Sequence, residues 1–315
     1  MRTVSVHIVT FNSAEYIVDC LDAVLHQAYP IDRILVVDNA STDDTLEKLR
    51  AYEDKVQLVA NKNNLGFAAA HNQCIHLSAS DFYLVLNPDV TLHPYYVYNL
   101  VAFMDKNARV GSVTGKLLRR SDATMIDSAG LLINKARRAF DLGARQNTTK
   151  WDEVSEVFGV SGAAALYARS MVQSVSMDGE FFDSDFFAYK EDVDVAWRAQ
   201  LLGWNSYYVP SAIAFHERSW KEGSRDKQPV FIKQHSYINR YRMMIKNDQW
   251  VWLLKHFPHL LLFEVASIIY VLFKEPFLLR AWVQLFKDYN KLLRKRKWIQ
   301  VQRKKKLQQI YSFFQ

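Results

Sequence analysis

The sequence predicts an α/β fold in which helices flank a mixed, mostly parallel sheet, followed by a C-terminal helical extension. Short apolar runs alternate with helical patterns over roughly the first 90 residues, as in βαβ units. Beyond about residue 230, aromatic and basic residues dominate and no strand pattern returns. With 315 residues, half of them hydrophobic, the chain is large enough to bury a core, which excludes disorder for most of it.

In the first half, strands are predicted at four apolar runs: Val4–Phe11, Arg33–Val37, Gln57–Ala60 and Phe82–Leu86. Apolar residues at helical spacing between these runs predict helices over Ala14–His26, Asp43–Tyr52 and Phe67–Ser78. Crossovers of this length force neighbouring strands to be parallel. Because ligands bind at the carboxyl ends of strands in such sheets, the residues that follow each strand are the candidates for chemistry.

From residue 94 to about 229 the pattern is mixed, and we expect this part to extend the sheet and to form a second wall of the cleft. Helices are predicted over Tyr95–Asp105 and Asp192–Leu202, and strands near Val110–Leu117, Val154–Val160 and Ala163–Tyr167. From Val230 the pattern becomes helical, so a boundary is placed near residue 229.

The net charge of +7 is distributed unevenly along the chain. Residues 274–315 hold 12 basic and 2 acidic residues, a local charge of +10, which leaves residues 1–273 with 28 basic and 31 acidic residues, or −3. A basic surplus is compatible with nucleic acid, a membrane surface or an anionic substrate. No nucleic-acid readout module accompanies the charge, so we expect no nucleic-acid binding.

Two further features bear on the compartment. Cys20 and Cys74 are too few for a disulfide framework and fall in helical patterns, which predicts small buried hydrophobes in a reducing compartment. The N-terminus leads directly into an apolar strand without a small-residue cleavage site, which predicts a cytoplasmic chain. The stretch Phe257–Phe273 contains a proline, a histidine and a glutamate and falls short of the ~20 apolar residues of a spanning helix, so we expect no transmembrane segment.

Polar residues follow two of the predicted strands. The Asp38 carboxylate is able to accept a hydrogen bond from a pyrimidine imide N–H, although a strand-terminal aspartate as often caps a turn. Asn87 and Asp89 end the fourth strand, where a divalent cation bound to a diphosphate would sit. Because Mg²⁺ or Mn²⁺ binds one or two carboxylates together with phosphate oxygens, this pair is chemically sufficient, and a turn without a ligand is the alternative.

Two more polar groups lie further along the chain. Glu191, Asp192 and Asp194 stand at the head of a predicted helix, where acidic residues complement the helix dipole. Three acids after an aromatic run are more than capping requires. His216 ends a short apolar strand, and taken alone it is more often a structural histidine than a ligand.

Seven motifs, taken in their order and spacing, span residues 1 to about 225: Val9–Asn12, Val36–Asp43, Asn61–Asn72, Asn87–Asp89, Ser161–Ala163, Glu191-Asp192 and His216. Their combination resembles the family 2 glycosyltransferases, inverting enzymes of the GT-A (Rossmann-like) fold, and within them the bacterial rhamnosyltransferase-like branch. The resemblance implies a GT-A catalytic domain over residues 1–229. Its nucleotide-sugar half would cover about 1–93 and its acceptor half about 94–229, followed by a basic amphipathic helical region over 230–315.

The resemblance also implies a role for each motif. Asp38 would bind the pyrimidine base of a nucleotide sugar. The other nucleotide-sugar-binding residues would be Thr10, Asn12, Asn64, Gly66, Asn72 and Asn87. Asp89 would be the main carboxylate ligand of Mg²⁺ or Mn²⁺, and His216 would complete the metal shell. Asp192, paired with Glu191, would be the general base. Ser161, Gly162 and Trp220 would contact the sugar or the acceptor.

The expected reaction is transfer of a sugar, L-rhamnose from dTDP-β-L-rhamnose by subfamily likeness, onto a lipid-linked or cell-surface glycan. UDP-galactofuranose or a UDP-hexose is an alternative donor. Asn87 replaces the first aspartate of the usual Asp-x-Asp triplet, which should weaken the grip on a free ion and leaves open a catalytically inactive nucleotide-sugar-binding scaffold. A nucleotidyltransferase is a third possibility, but no glycine-rich phosphate loop follows the first strand.

The tail predicts an amphipathic helix. Its apolar arc is roughly 140° wide on a helical wheel and contains Leu278, Leu279, Trp282, Leu285, Phe286, Tyr289, Leu292 and Leu293. The basic residues opposite are Arg280, Lys287, Lys291 and Arg294. This pattern predicts peripheral binding of residues 274–315 to the anionic inner face of the plasma membrane. The alternative is a helix that packs on the catalytic domain or on a second subunit with a solvated basic face.

Overall fold

The computed structural model describes residues 1–218, 225 and 228–315. In these residues the strands are β1 (Val4–Thr10), β2 (Arg33–Asp38), β3 (Gln57–Ala60), β4 (Phe82–Leu86), β5 (Val90–Leu92), β6 (Val110–Arg119), β7 (Asp122–Ser128), β8 (Leu131–Ile133), β9 (Ala139–Asp141), β10 (Ser155–Val157), β11 (Ala164–Ala168) and β12 (Asn205–His216). The α-helices are α1 (Ile17–Leu25), α2 (Thr45–Arg50), α3 (Gly66–Leu77), α4 (Tyr96–Asp105), α5 (Arg169–Val175), α6 (Glu191–Leu201), α7 (Val230–Asn247), α8 (Trp250–Lys255), α9 (Phe257–Lys274), α10 (Ala281–Val301) and α11 (Leu307–Tyr311). Short 3-10 helices occupy Thr148–Lys150, Ser184–Phe186 and Pro276–Arg280.

The central sheet is mixed, and its strands β1 to β4 run parallel to one another. The strand order is β10-β12-β6-β11-β4-β1-β2-β3, with β4, β1, β2 and β3 mutually parallel and β11 antiparallel between β4 and β6. Val6, Val36 and Leu84 in three of these strands are fully buried, as expected for a parallel sheet covered on both faces. Cys20 and Cys74 are free and buried, as predicted. The predicted α/β fold class, with its C-terminal helices, is confirmed.

Two strands that the sequence pattern does not predict place the candidate site. The short strand β5 pairs with the end of β12, so that Val90 lies opposite His216. This pairing brings Asp89, which precedes Val90, beside the histidine. Strand β7 pairs with β6 and carries Asp127. The first of these strands, Val-Thr-Leu, is too short for its alternation to predict a strand, and the second is largely polar.

The C-terminal helices, which follow the predicted boundary at residue 229, are joined to the α/β part of the chain by buried ion pairs. The ammonium of Lys246 lies 2.5 Å from Asp183 and 2.7 Å from Asp194, and that of Lys295 lies 2.6 Å from Asp183. Burial alone would raise the pKa of the Asp183 carboxyl, but the two lysines lower it below its ordinary value. The division into units 1–229 and 230–315 stays a prediction.

The membrane interpretation of residues 274–315 requires the basic side of α10 to be free along its length, but part of that side is paired. Lys291 and Arg294 pair with Asp185 at 2.6 Å and with Asp178 at 3.1 Å. The mildly acidic body therefore binds part of the basic tail. The predicted apolar arc is divided as well, because Leu292 is fully buried whereas Phe286 is 71% exposed. The alternative, a helix that packs on the preceding α/β part of the chain, agrees with the position of α10. The packing includes basic residues of α10, which this alternative had left in solvent.

Among the described residues, α9 is long and apolar enough to cross a membrane by length and composition, contrary to our expectation. Its 18 residues have a mean hydropathy of 1.6, and 11% of them are buried. Pro258 lies in its first turn, where a proline does not interrupt a helix. Glu264 points inward, with its carboxylate 2.6 Å from Arg240 and 2.7 Å from the Tyr241 hydroxyl.

The C-terminal residues close over a buried arginine. Arg137 donates to the Asp248 carboxylate at 2.7 Å, and the Tyr311 hydroxyl donates to the same carboxylate at 2.6 Å. All three residues are buried. This cluster joins the segment after β8 to α11.

Replacing Tyr311 with phenylalanine is expected to lower the free energy of unfolding by roughly 1.5–3 kcal/mol, because the lost hydrogen bond is made to a charged group. Urea unfolding followed by circular dichroism measures it. The control is Tyr98→Phe, at a ring that is 51% exposed, for which we expect a change within about 0.5 kcal/mol. Equal losses in both variants would contradict the role of this cluster.

Candidate functional site

Thr10 and Asp38 end two neighbouring strands and lie side by side at the carboxyl edge of the sheet. Asp38 is fully buried. Its oxygens accept hydrogen bonds from the Thr10 hydroxyl at 2.8 Å and from the Ser41 hydroxyl and backbone N–H at 2.5 and 2.9 Å. The turn-capping interpretation of Asp38 is therefore present in the structure. Because a carboxylate has about four acceptor positions, one remains for an imide N–H.

Asn12 and Asn64 shape the loops around this edge. Asn12 adopts a left-handed backbone with φ of 52°, and its amide oxygen accepts the Thr42 N–H at 2.8 Å, which joins the loops after β1 and β2. The Asn64 amide oxygen accepts the Gly66 N–H at 2.8 Å and so caps the start of α3.

Gly66 and Asn72 pack α3 against the segment that leads into α6. A Cβ at Gly66, whose φ is +83°, would lie 2.5 Å from the Phe187 carbonyl oxygen. The Asn72 amide donates to the Phe182 carbonyl at 2.7 Å and accepts the Phe182 N–H at 3.0 Å. Both predicted nucleotide-sugar residues thus contact protein backbone, and the structure does not bring the Asn72 amide to the sheet edge.

Asp89 and His216 face each other, with Oδ1 and Nε2 3.4 Å apart. This Oδ1 atom is buried and makes no hydrogen bond to any described residue. Asn87 stands two positions earlier and is half-buried. A buried carboxylate oxygen and an imidazole nitrogen are suitable ligands for Mn²⁺. In the described part of the chain no three His, Cys, Asp or Glu side chains gather as a metal site, so these ligands would need others from a bound molecule.

Asp127 supports His216 from behind and was missed by the sequence reasoning. Its carboxylate accepts from His216 Nδ1 at 2.8 Å and from Arg218 Nε at 2.6 Å, and Arg218 also reaches Asp141 at 2.5 Å. Burial opposes the charged imidazolium, but Asp127 and Asp89 raise the pKa of His216 to about 9. A cation that binds at Nε2 would therefore have to displace the proton on this nitrogen. The sequence offers one indication of this role: Asp127 is an acid directly after the apolar Ile126, and an acid buried beside it would need a partner.

Asp192 lies in the first turn of α6 and is half-buried. One carboxylate oxygen accepts the Gly162 N–H at 3.2 Å and the other accepts the N–H of Val193 at 2.8 Å. A Cβ at Gly162 would lie 3.7 Å from the Asp192 Cβ. The neighbouring carbonyl of Ala163 accepts the Asn87 N–H at 2.8 Å. The short segment from Ser161 to Ala163 therefore connects the end of β4 with the predicted base.

The buried Glu191 and the half-buried Asp192 are neighbouring acids whose pKa values are both raised. Burial raises the pKa of the Asp192 carboxyl, and the two backbone N–H groups oppose this only in part. Burial and the charge of Asp192 raise the pKa of Glu191 to about 8. A carboxylate whose pKa is raised binds a proton more strongly than an ordinary aspartate, which suits a general base.

The loop that leads into this pair is strained. Phe187, Tyr189 and Lys190 have φ of 59°, 70° and 68°, in the left-handed region that bulky residues rarely adopt. The buried Asn239 amide of α7 donates towards three loop carbonyls, at 2.8 Å from Phe186, 3.0 Å from Ala188 and 2.9 Å from Tyr189. Asn239 was not predicted, because nothing in its local sequence indicates this contact. Trp220 lies outside the described residues.

The family model for "Glycosyl transferase family 2" matches residues 5–174. The N-acetylglucosaminyl-diphospho-decaprenol L-rhamnosyltransferase of Mycobacterium tuberculosis is 30% identical over 225 residues, which cover 64% of this chain and 71% of that protein. The structure of GalNAc-T7 with UDP, GalNAc and Mn²⁺ is similar at a TM-score of 0.64 and 13% identity, over 78% of this chain and 49% of that one. The mannosyltransferase PcManGT from Pyrobaculum calidifontis, with GDP-Man and Mn²⁺, has a TM-score of 0.56 at 16% identity, over 96% of this chain and 86% of that one.

Proposed function

Because the chain belongs to glycosyl transferase family 2, and so is a glycosyltransferase that uses nucleotide-sugar donors, we propose that it transfers L-rhamnose from dTDP-β-L-rhamnose to a glycan hydroxyl. The resemblance to this family and to the GT-A fold is confirmed. The observation that carries the proposed chemistry is the placement of Asp192 next to Gly162, in the segment that also contacts Asn87. The choice of rhamnose rests on the mycobacterial relative.

Asp192 is the proposed general base. It accepts the proton of the acceptor hydroxyl while that oxygen attacks the anomeric carbon, and the bond to the diphosphate breaks with its electron pair staying on the leaving oxygen. The anomeric configuration inverts because a single displacement occurs. Glu191, whose pKa is raised to about 8, remains largely protonated at neutral pH. It therefore adds little negative charge beside the base.

The residues around Asp89 fit a divalent cation that arrives with the diphosphate. Asp89 Oδ1 is buried without a hydrogen bond to a described residue, and His216 Nε2 faces it. Both structural neighbours named above contain Mn²⁺, which supports the choice of a divalent metal. When bound, such a cation stabilises the negative charge that develops on the leaving diphosphate. Asp89 and His216 would hold it, and Asn87, as an amide, would add no charge.

A donor panel tests the proposal. Purified protein with Mn²⁺ or Mg²⁺ is incubated with dTDP-L-rhamnose, UDP-galactofuranose and UDP-glucose, and nucleoside diphosphate release is measured with and without a lipid-linked glycan acceptor. We expect acceptor-stimulated release of dTDP. Binding of a donor without release would favour the inactive scaffold. In a separate incubation with dTTP and a sugar 1-phosphate, release of pyrophosphate would indicate a nucleotidyltransferase.

Replacing Asp127 with asparagine is expected to raise the metal concentration for half-maximal activity by about 10–100-fold, because outer-shell partners of a ligating histidine orient it. A metal titration of initial rates measures this, and the rate at saturating metal should stay close to wild type. The matched control is Asp122→Asn, at an exposed position of the same strand. An unchanged metal requirement in Asp127→Asn would contradict the assignment of His216.

We also propose that the protein works peripherally at the cytoplasmic face of the plasma membrane on a lipid-linked acceptor. The mycobacterial relative is named for a decaprenol-linked sugar, N-acetylglucosaminyl-diphospho-decaprenol, which supports an acceptor of this kind. The exposed apolar surface of the C-terminal helices supports the location.

A further inference from the structure

We infer that the outward sides of α8, α9 and α10 form a docking face for an anionic lipid bilayer. Of the basic residues predicted opposite the apolar arc, only Arg280 and Lys287, which make no ion pair with a described residue, belong to it, because Lys291 and Arg294 pair with aspartates. The docking face is the set of exposed apolar and basic side chains within residues 250–297. The inference assigns the proposed membrane location to a specific surface. It rests on the proposed function only for the reason why the protein would bind a membrane.

The docking face is strongly apolar. Trp250 and Leu254 of α8 are both 74% exposed, and Leu262 and Phe273 of α9 are 75% and 80% exposed. Phe286 of α10 is 71% exposed. Soluble proteins rarely expose this much apolar surface without a partner.

One side of α9 is committed to the protein, which decides how it meets the bilayer. Leu260 and Val271 are buried, and Glu264 is held by Arg240 and Tyr241 of α7. Crossing a membrane would separate Glu264 from Arg240 and place a carboxylate in hydrocarbon, which is costly. The helix therefore lies in the plane of the interface with its outer side among the lipids.

The charges around the docking face select an anionic surface. The described C-terminal helices and their connections contain four acids, and each pairs with an arginine at 2.6–3.0 Å. The pairs are Asp248 with Arg137, Glu264 with Arg240, Glu275 with Arg225 and Asp288 with Arg242. Lys274, Arg280, Lys287 and Lys297 are exposed and make no ion pair with a described residue.

This charge distribution favours lipid over a second copy of the chain. A two-fold dimer would bring the same patch of each subunit together and would place unpaired cations against one another. Anionic lipid headgroups neutralise them instead.

Vesicle flotation tests the inference. The full-length protein is floated with vesicles of phosphatidylglycerol and phosphatidylcholine, and with phosphatidylcholine alone. We expect binding to the anionic vesicles, and a loss of at least about tenfold in the double variant Leu262→Glu/Phe273→Glu. Replacing Arg280 and Lys287 with glutamine should lower binding by roughly fivefold for each removed charge.

The matched control is Leu77→Glu/Val154→Glu, at two exposed apolar positions of the catalytic half, which should float like wild type. Unchanged flotation of Leu262→Glu/Phe273→Glu would overturn the inference. Vesicle binding that resists carbonate extraction would also overturn it, because it would indicate a spanning helix. A third contradicting result is a wild-type dimer that dissociates in Leu262→Glu/Phe273→Glu while neither protein binds vesicles. Donor hydrolysis measured without lipid tests the proposed function independently of membrane binding. A protein that floats with vesicles but releases no nucleoside diphosphate would contradict the proposed function and leave the docking face supported.

Discussion

Asp192→Asn is expected to lower kcat by roughly 10²–10⁴-fold, the contribution of a positioned general base. The substitution keeps the side-chain shape, and the amide oxygen retains one of the hydrogen bonds from Gly162 and Val193. It removes the basic carboxylate that would take the proton from the hydroxyl of the glycan acceptor. Single-turnover kinetics with the best donor of the panel measure the effect, and the dissociation constant of the nucleoside diphosphate should change little.

The rate should also depend on pH in a defined direction. Burial raises the pKa of Asp192, and burial together with the Asp192 charge raises that of Glu191 to about 8. Because the base acts only when ionised, kcat/KM should fall as the pH is lowered, and the midpoint of this fall should lie above the ordinary aspartate pKa of about 3.9. This limb should be absent from the residual activity of Asp192→Asn.

The control for this variant is Asp178→Asn, which removes an exposed carboxylate of the same half of the chain and should keep wild-type kcat. Full turnover by Asp192→Asn would remove the base assignment. A wild-type fall in rate whose midpoint lies at or below the ordinary aspartate pKa of about 3.9 would do the same for the protonation argument.

Asn239→Ala is expected to lower kcat by about 100-fold, because a displacement of roughly 1 Å in a catalytic group costs that much. The three carbonyls that Asn239 contacts belong to Phe186, Ala188 and Tyr189. The loop ends directly at Glu191. Without the amide, the left-handed residues lose the contacts that offset their backbone strain, and Asp192 loses its fixed position.

Three measurements separate positioning from general damage. The matched control is Gln234→Ala on the same helix, whose amide donates to the Phe277 carbonyl at 2.9 Å, away from the loop. Asn239→Ala should lower kcat while nucleoside diphosphate affinity and metal requirement stay near wild type, and Gln234→Ala should keep kcat. If both variants lose kcat and donor binding together in proportion to thermal stability, Asn239 has only a structural role.

The parallel half of the fold was predictable because its strands are buried on both faces and its crossovers are local. Val4–Thr10 and Phe82–Leu86 are continuous apolar runs, which need no distant partner to be recognised. Strand β5 was not predictable in this way. It has three residues and exists because the end of β12 pairs with it more than a hundred residues later.

The same distinction holds at the candidate site. Asp89, Asp192 and His216 stand in motifs that a family resemblance identifies, and the structure puts Asp89 next to His216. Asp127 and Asn239 act through these residues from other elements, so no local pattern indicates their role. The tail gives the clearest case, because a helical wheel showed the basic side of α10 but not the aspartates that Lys291 and Lys295 contact.

The contact between Asn239 and the loop has a consequence for biosynthesis. A chain emerges from the ribosome with its N-terminal residues first, so the sheet, Asp89 and His216 are available before α7 is made. The base loop acquires its support only after Asn239 follows, and the buried Asp183 acquires its second lysine only with Lys295. If Asp192 is the base, as proposed, a nascent chain would form the edge that carries Asp89 and His216 before the base loop is supported, and sugar transfer would begin only after α7 has been made.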